Sequence, residues 1–193
     1  MKKIAKTIAV AVTAVMVGAG SATATEGPNV GSVGVGPQVI NMWTDSEFGD
    51  MFTGAGLSLR WWATNEFGVE GNVYYGTTDR DIPSGPEISS DTILGTIKLM
   101  YAPVVKENSR FYVGVEGGLG SSSVDVNDVE EDSDNYYLVR PLIGTEFNFS
   151  DFKEVGFNFE VGYGFTGEDD GDDSDYEYDL TGVSIGVGAH YYF

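Results

Sequence analysis

Apolar and polar residues alternate with a period of two in eight segments of the chain, and this pattern constrains its fold most strongly. Successive side chains of a β-strand point to opposite faces, so the alternation predicts strands with one apolar and one polar face. In one segment, Phe67, Val69 and Val73 alternate with Glu70 and Asn72. The segments are 30–43, 57–61, 67–75, 93–101, 111–117, 136–149, 155–163 and 183–191. An even number of antiparallel strands closes an up-and-down barrel without a free edge.

The lengths of the predicted connections distinguish a membrane barrel from a soluble one. A soluble barrel points its apolar face inward, whereas a membrane barrel points it at lipid. The connections near Asn65, Glu107 and Asp151 are brief, and the other four are longer. Short turns at one end and long loops at the other are typical of outer-membrane barrels.

Aromatic residues gather near both ends of the predicted strands. The turn-side set is Trp61, Tyr101, Phe111, Phe147, Phe149 and Phe157, and the loop-side set is Trp43, Tyr75, Tyr137 and Phe165. Two such rings are expected where a lipid-facing wall meets the two membrane interfaces. The pattern therefore predicts an apolar exterior.

The last strand ends in Tyr191-Tyr192-Phe193, with Tyr191 and Phe193 on one face. Together with the alternation and the aromatic rings, this ending resembles the small outer-membrane β-barrel family of the OmpA-like and OmpX-like kind. The resemblance implies an all-β fold, an eight-stranded antiparallel up-and-down transmembrane β-barrel in the cell outer membrane of a Gram-negative bacterium. It also implies that Tyr191 and Phe193 form an assembly signal for the barrel-assembly machinery, and that outer-membrane lipid and lipopolysaccharide surround the barrel.

The N-terminus has the features of a secretory signal. Lys2, Lys3 and Lys6 precede an apolar run over 8–17, and Ala22-Thr23-Ala24 follows it. A positive start, a short apolar stretch and an A-x-A site define a cleaved signal peptide. We therefore expect residues 1–24 to be removed and residues 25–193 to form one barrel domain.

Charge and cysteine content exclude several functions. Cleavage would remove three basic residues and no acidic one, leaving a net charge of −23. Nucleic-acid binding depends on Lys and Arg that neutralise phosphates, so no nucleic acid is expected as a partner. The chain has no cysteine, which excludes disulfides and thiolate metal sites.

The strand parity places several charged residues on the inward face. The predicted interior ion-pair network comprises Arg60, Glu70, Lys98, Glu116, Arg140, Glu146, Glu160 and His190. Buried charges are tolerable only when they are paired, so the interior is interpreted as a structural plug of ion pairs. The alternative is a narrow polar conduit for ions or small solutes. Porin-sized channels take about 16 to 18 strands, which favours the plug.

Some eight-stranded barrels modify lipid A, which would require a catalytic set of residues in this chain. His190 is the only histidine, and the nearest serine on its strand, Ser184, is six residues away. Six strand residues span roughly 20 Å, too far for a nucleophile and its base. No catalytic residue is predicted, although a nucleophile from another strand stays open. No cofactor is expected, and the barrel is expected to be a monomer.

The four long connections are strongly acidic: they contain 20 of the 30 carboxylates and a single base, Arg80. They include Asp79, Asp81, Glu87 and Asp91 in one connection and Asp125 to Asp134 in the next. The last connection offers Asp169, Asp170, Asp172, Asp173, Asp175 and Glu177 as hard oxygen ligands for weakly bound Ca²⁺ or Mg²⁺. It lacks the ligand spacing of a calcium-binding loop, so a solvated acidic surface, as in a saline habitat, is the simpler interpretation.

These observations favour a non-enzymatic outer-membrane protein that displays acidic loops, with a role in envelope integrity or surface interaction. A narrow channel and a lipid A-modifying enzyme are the alternatives.

Overall fold

The computed structural model describes residues 29–44, 51–81, 87–126, 129–168 and 181–193. Its strands are β1 (Val33–Thr44), β2 (Met51–Trp62), β3 (Phe67–Asp81), β4 (Glu87–Lys106), β5 (Ser109–Val126), β6 (Val129–Phe149), β7 (Phe152–Glu168) and β8 (Gly182–Tyr192). Each strand pairs with the next in antiparallel register, and β8 pairs with β1 to close the barrel. The predicted eight-stranded antiparallel barrel is confirmed. The predicted signal peptide, residues 1–24, lies outside the described residues and stays a prediction.

The exterior of the barrel is apolar along its middle. Leu57 is 68% exposed and Leu99 is 60% exposed, and both lie on strands whose intervening residues are buried. A continuous apolar outer wall with a polar interior is the arrangement of a barrel immersed in lipid. Within the described residues, no helix is long and apolar enough to cross a membrane.

The two ends of the barrel differ. At one end, here called the turn end, the strands are joined by 63–66, 107–108 and 150–151. At the other end, here called the loop end, β3–β6 extend well beyond β1 and β8. Strands β4, β5 and β6 have 20, 18 and 21 residues, whereas β1 and β8 have 12 and 11.

The long strands correct the expectation of four long acidic loops. The backbone of Asp79 pairs with Ser89 and that of Asp81 with Glu87, so this acidic segment belongs to the β3–β4 hairpin. The acidic segment Asp125 to Asp134 likewise belongs mostly to β5 and β6, which are joined by 127–128 alone. Pairing satisfies backbone N–H and C=O groups even where both faces of a sheet are polar, so acidic composition does not end a strand.

Glycines let the strands of one wall approach closely. A Cβ added at Gly36 of β1 would lie 1.7 Å from the backbone oxygen of Ala189 on β8. A Cβ added at Gly188 would lie 1.9 Å from Oε1 of Gln38. At Gly188 the side chain of Gln38 on the neighbouring strand β1 therefore occupies the space that a Cβ would take.

Candidate functional site

The strand register brings interior charges of alternating sign side by side. Arg60 on β2 lies opposite Glu70 on β3, and Glu70 lies opposite Lys98 on β4. Lys98 lies opposite Glu116 on β5, which lies opposite Arg140 on β6. Opposite charges at directly facing positions attract, whereas like charges there repel. The register thus builds one continuous row of positive and negative side chains across five strands.

Glu160 on β7 reaches this row from across the lumen. Its Oε1 accepts hydrogen bonds from Lys98 Nζ at 2.7 Å and Tyr112 Oη at 2.8 Å. Its Oε2 accepts one from Arg140 Nη2 at 2.9 Å, and Arg60 Nη2 donates to Oε1 at 3.3 Å. One carboxylate therefore ties together side chains from β2, β4, β5 and β6.

Glu146 on β6 forms a second centre nearer the turn end. Its Oε2 accepts hydrogen bonds from Arg60 Nη1 and Tyr192 Oη, each at 2.7 Å. Arg110 lies opposite it in the register, with its Nε 3.8 Å from Glu146 Oε1 and its guanidinium 4.0 Å from the Trp62 ring centre. Arg60 belongs to both centres and links them.

The charges of this interior are balanced. Among the described residues, four buried bases meet four buried carboxylates; they are Arg60, Lys98, Arg110, Arg140, Glu70, Glu116, Glu146 and Glu160. We call this set the interior network. Buried ions are costly unless paired and hydrogen-bonded, and each member of the network lies within 4 Å of an opposite charge. Neutrality allows the charges to stay inside the membrane.

Seven of the eight residues predicted for the interior are members of the network, and His190 differs. Its ring is buried, and its Nε2 lies 2.8 Å from Ser58 Oγ on β2. Its Nδ1 has no hydrogen-bond partner among the described residues. Among the described residues His190 makes no ion pair, and its partner on β7 in the strand register is Gly156. His190 is thus next to the network rather than part of it.

Sequence reasoning missed Arg110, Tyr112, Trp62 and Tyr192, which all point inward and are buried. The parity that placed Glu116 inward places Tyr112 and Arg110 inward as well, so the signal was present. Arg110 lies just before the predicted segment 111–117, but the strand itself begins one residue earlier, at Ser109.

Two apolar layers lie on the loop side and on the turn side of the charge row formed by Arg60, Glu70, Lys98, Glu116 and Arg140. The loop-side layer consists of Ile40, Met42, Phe52, Tyr74, Leu94 and Leu138, with Tyr136 packed against it. The turn-side layer consists of Trp62, Met100, Ala102, Tyr112, Leu142 and Tyr192, with Val105 packed against it. The side chains of this row are fully buried, so the described interior is filled along the barrel axis.

The predicted aromatic rings lie at the lipid-facing surface. Trp43, Tyr75, Tyr137 and Phe165 are exposed toward the loop end. Toward the turn end, Phe147, Phe149 and Phe157 pack on one another with ring centres 5.6 to 5.8 Å apart. Tyr191 and Phe193, the predicted assembly signal, are 57% and 73% exposed. Tyr191 lies on the outside of β8, and Phe193 follows the strand directly; their role as an assembly signal stays a prediction.

No group of three or more potential metal ligands is found within the described residues. The predicted cation site, Asp169 to Glu177, lies outside them, so it stays a prediction. A cavity of about 710 Å³ opens at the turn end between the three turns.

No protein-family model matches the sequence, and no curated protein matches it. Solved structures do match the fold. The outer membrane protein OprG of Pseudomonas aeruginosa has a TM-score of 0.59 at 14% identity, with 88% of this chain and 99% of that chain covered. Neisserial surface protein A has a TM-score of 0.58 at 15% identity, with 83% and 97% covered.

The attachment invasion locus protein Ail of Yersinia pestis has a TM-score of 0.52 at 16% identity, with 84% of this chain and 97% of that chain covered. In fold, the chain is thus a small eight-stranded outer-membrane β-barrel, as the resemblance to OmpA-like and OmpX-like barrels implied. At these identities the likeness concerns the fold alone.

Proposed function

We propose that the protein is a non-enzymatic outer-membrane barrel that anchors an acidic surface at the cell exterior, with a role in envelope integrity or surface interaction. The observation that carries the proposal is the filled interior: the side chains of the interior network are fully buried, and apolar layers pack toward both ends of the barrel. A barrel that neither conducts nor exposes a reactive group inside can act only through its outer surfaces.

The distribution of charge supports the orientation. The acidic hairpin ends of β3–β6 lie at the loop end, and in sequence the acidic segment 169–177 follows β7, whose last residue is at that end. At the turn end, Lys106 and Lys153 are exposed bases, and Lys153 lies 3.9 Å from Glu107. In outer-membrane barrels the short turns face the periplasm and the longer connections face outward. The acidic end is then the surface end.

The surroundings of Ser58 and His190 support a non-enzymatic role. The two side chains are hydrogen-bonded, as a nucleophile and its base would be, but both are fully buried inside the barrel. A lipid substrate lies outside the wall, and no carboxylate orients the Nδ1 atom among the described residues. The pair is better explained as a satisfied polar contact of the interior.

The proposed partners follow from this location. Lipopolysaccharide carries phosphates that divalent cations bridge, so Asp169, Asp170, Asp172, Asp173, Asp175 and Glu177 are proposed to take up Ca²⁺ or Mg²⁺ weakly from that layer. Calorimetry on the folded protein should give a Ca²⁺-dependent heat at millimolar concentration, and a flat titration would refute this part. Tyr191 and Phe193 are proposed to contact the barrel-assembly machinery during insertion.

Planar-bilayer recording tests the sealed barrel against the narrow channel. The folded protein should add no discrete conductance steps at moderate voltage, because both apolar layers exclude ions. Reproducible steps from a single folded species would overturn the proposal and favour a channel. Heat-modifiable migration on a gel identifies the folded species, so an unfolded preparation cannot imitate a sealed barrel.

A further inference from the structure

The cavity at the turn end of the barrel is separate from the interior network, none of whose residues lines it. We call it the turn-end cavity. Its lining comes from the three hairpins β2–β3, β4–β5 and β6–β7, with Asn65, Asn108 and Asn148 contributing one amide side chain from each. Its volume of about 710 Å³ lies within the range of about 300–1,000 Å³ that is usual for small-molecule sites.

Backbone hydrogen bonds between the hairpins build the turn-end cavity. Ala102 N on β4 donates to Glu66 O in the β2–β3 turn at 2.6 Å. Asn148 N on β6 donates to Asn108 O in the β4–β5 turn at 2.8 Å. The register of β4 on β5 shifts between Tyr101 and Val104, which takes Ala102 out of that ladder and frees it for the bond to Glu66. The walls are thus held by the fold itself.

The floor of the cavity contains a buried acceptor without a partner. Asn148 is 6% exposed, and its Nδ2 donates to Lys153 O at 2.9 Å and to Val155 O at 3.0 Å. These two bonds use both amide hydrogens and fix the orientation of the amide group. Its Oδ1 has no hydrogen-bond partner among the described residues. A buried acceptor left unpaired is costly, so a ligand that donates an N–H or O–H there would be stabilised.

The charges of the lining are balanced and lie at the mouth of the cavity. Two bases, Lys106 and Lys153, accompany two carboxylates, Glu66 and Glu107, and all four side chains are exposed. Lys153 Nζ lies 3.9 Å from a Glu107 carboxylate oxygen, and these side chains are 63% and 83% exposed. Such a loose surface pair is worth little, so both groups are available to a ligand.

The floor carries no charge. Besides Asn148 it consists of Ala102, which is fully buried, and Val105, which packs against the turn-side layer. A charged group that a ligand carried to this depth would meet no opposite charge among the lining residues there. Burying an unpaired charge is costly, so the cavity favours an uncharged ligand that donates hydrogen bonds and also has apolar surface.

We propose that the turn-end cavity binds a neutral saccharide of one or two rings. Sugar hydroxyls both donate and accept hydrogen bonds, and the C–H faces of the ring are apolar. A hydroxyl or acetamido N–H donates to Asn148 Oδ1, the ring packs on Ala102 and Val105, and the outer hydroxyls bond to Asn65 and to the charged groups at the mouth. This gives the turn end a binding role of its own, beyond the proposed function of the loop end.

The test uses the full folded protein in dodecylphosphocholine micelles, because the headgroup of this detergent contains no sugar. The probes are di-N-acetylchitobiose and cellobiose, two neutral disaccharides of the same linkage that differ in their acetamido groups. Glycine and sodium phosphate are the charged comparison ligands. Amide NMR spectra are recorded during each titration, and the shifts of Ala102, Lys106 and Asn148 report on the cavity.

We expect saturable shifts of these amides with di-N-acetylchitobiose. Equal shifts with cellobiose would assign the contact at Asn148 to a hydroxyl and the site to sugars in general. Binding of di-N-acetylchitobiose alone would assign that contact to the acetamido N–H and the site to N-acetylated glycans. Both results support a saccharide site, and they distinguish the two sources of the ligand.

Two tryptophan variants locate the binding. Asn65→Trp places a large ring in the cavity wall at an exposed turn residue and should weaken binding at least about tenfold, because the ring fills the ligand's space. Asp151→Trp places the same ring in the β6–β7 turn outside the cavity lining and should change binding less than about twofold. Asn148→Ala removes the buried acceptor and should weaken binding about three- to tenfold, which corresponds to one neutral hydrogen bond.

Shifts of the cavity amides with glycine or phosphate and not with the saccharides would show a site for charged ligands and overturn the proposal. Absence of saturable shifts with both saccharides, or equal losses in the two tryptophan variants, would also overturn it. Heat-modifiable migration of every variant confirms that the barrel is folded. Failure here leaves the proposed function intact, because conductance is measured independently.

Discussion

Glu160 offers the sharpest test of how the barrel is held together. It accepts hydrogen bonds from Lys98, Arg140 and Tyr112 and lies within 3.3 Å of Arg60. Glu160→Gln keeps the size of the side chain but removes its charge. The –NH₂ group of the new glutamine side chain then faces other hydrogen-bond donors. The interior network is left with four bases and three carboxylates.

The magnitude follows from the burial of these groups. Removing one partner of a buried ion pair costs about 3–5 kcal/mol, because the remaining charge is left uncompensated. We therefore expect Glu160→Gln to lower the free energy of unfolding by about 3–5 kcal/mol. Adding Lys98→Met restores neutrality, so the double variant should lose about 1–3 kcal/mol less than the sum of the two single losses.

Equilibrium urea unfolding of the protein in phospholipid vesicles measures these differences. Glu107→Gln is the matched control, since Glu107 is 83% exposed at the turn end, and it should leave the midpoint unchanged. A loss below about 1 kcal/mol for Glu160→Gln, or strict additivity in the double variant, would refute the idea that the network is cooperative.

Two further predictions concern the wall and the C-terminus. Gly36→Ala should destabilise the barrel by about 1–3 kcal/mol in the same unfolding assay, because its Cβ would meet the Ala189 oxygen. Gly117→Ala is the control, because a Cβ there would have only the Leu138 oxygen nearby, at 3.9 Å, and its free energy of unfolding should be unchanged. Equal losses of stability in the two variants would contradict the packing argument. Phe193→Ala should slow assembly of the barrel in cells, measured as the folded fraction on gels. Its refolding into detergent should stay normal. A matching defect in both settings would indicate a structural rather than a signalling role.

The fold was predictable because it depends on local alternation. Each strand has one face toward lipid and one toward the interior, so a period of two is visible in a single segment such as 67–75. The same parity identified Glu70 and Glu160 as interior residues without knowledge of their partners. Strand ends were less predictable, because the hairpin of β5 and β6 continues through residues that read as an acidic loop.

The arrangement of the interior charges was not predictable in the same way. That Arg60, Glu70 and Lys98 stand side by side depends on the register between strands, which no single segment contains. The contact of His190 with Ser58 joins residues 132 positions apart. Sequence reasoning considered the serine on the same strand, Ser184, whereas closure of the barrel brings β2 close to β8.

Single-cysteine labelling on intact cells tests the central claim most directly, since the chain contains no cysteine of its own. Three variants receive a membrane-impermeant maleimide: Asn127→Cys in the connection between β5 and β6, Asp151→Cys at the turn end and Val115→Cys on the lipid-facing wall. We expect labelling of Asn127→Cys on intact cells, of Asp151→Cys only after the outer membrane is opened, and of Val115→Cys only after denaturation. Labelling of Asp151→Cys on intact cells with Asn127→Cys protected would contradict the orientation, and labelling of Val115→Cys in the folded protein would contradict the lipid-facing wall.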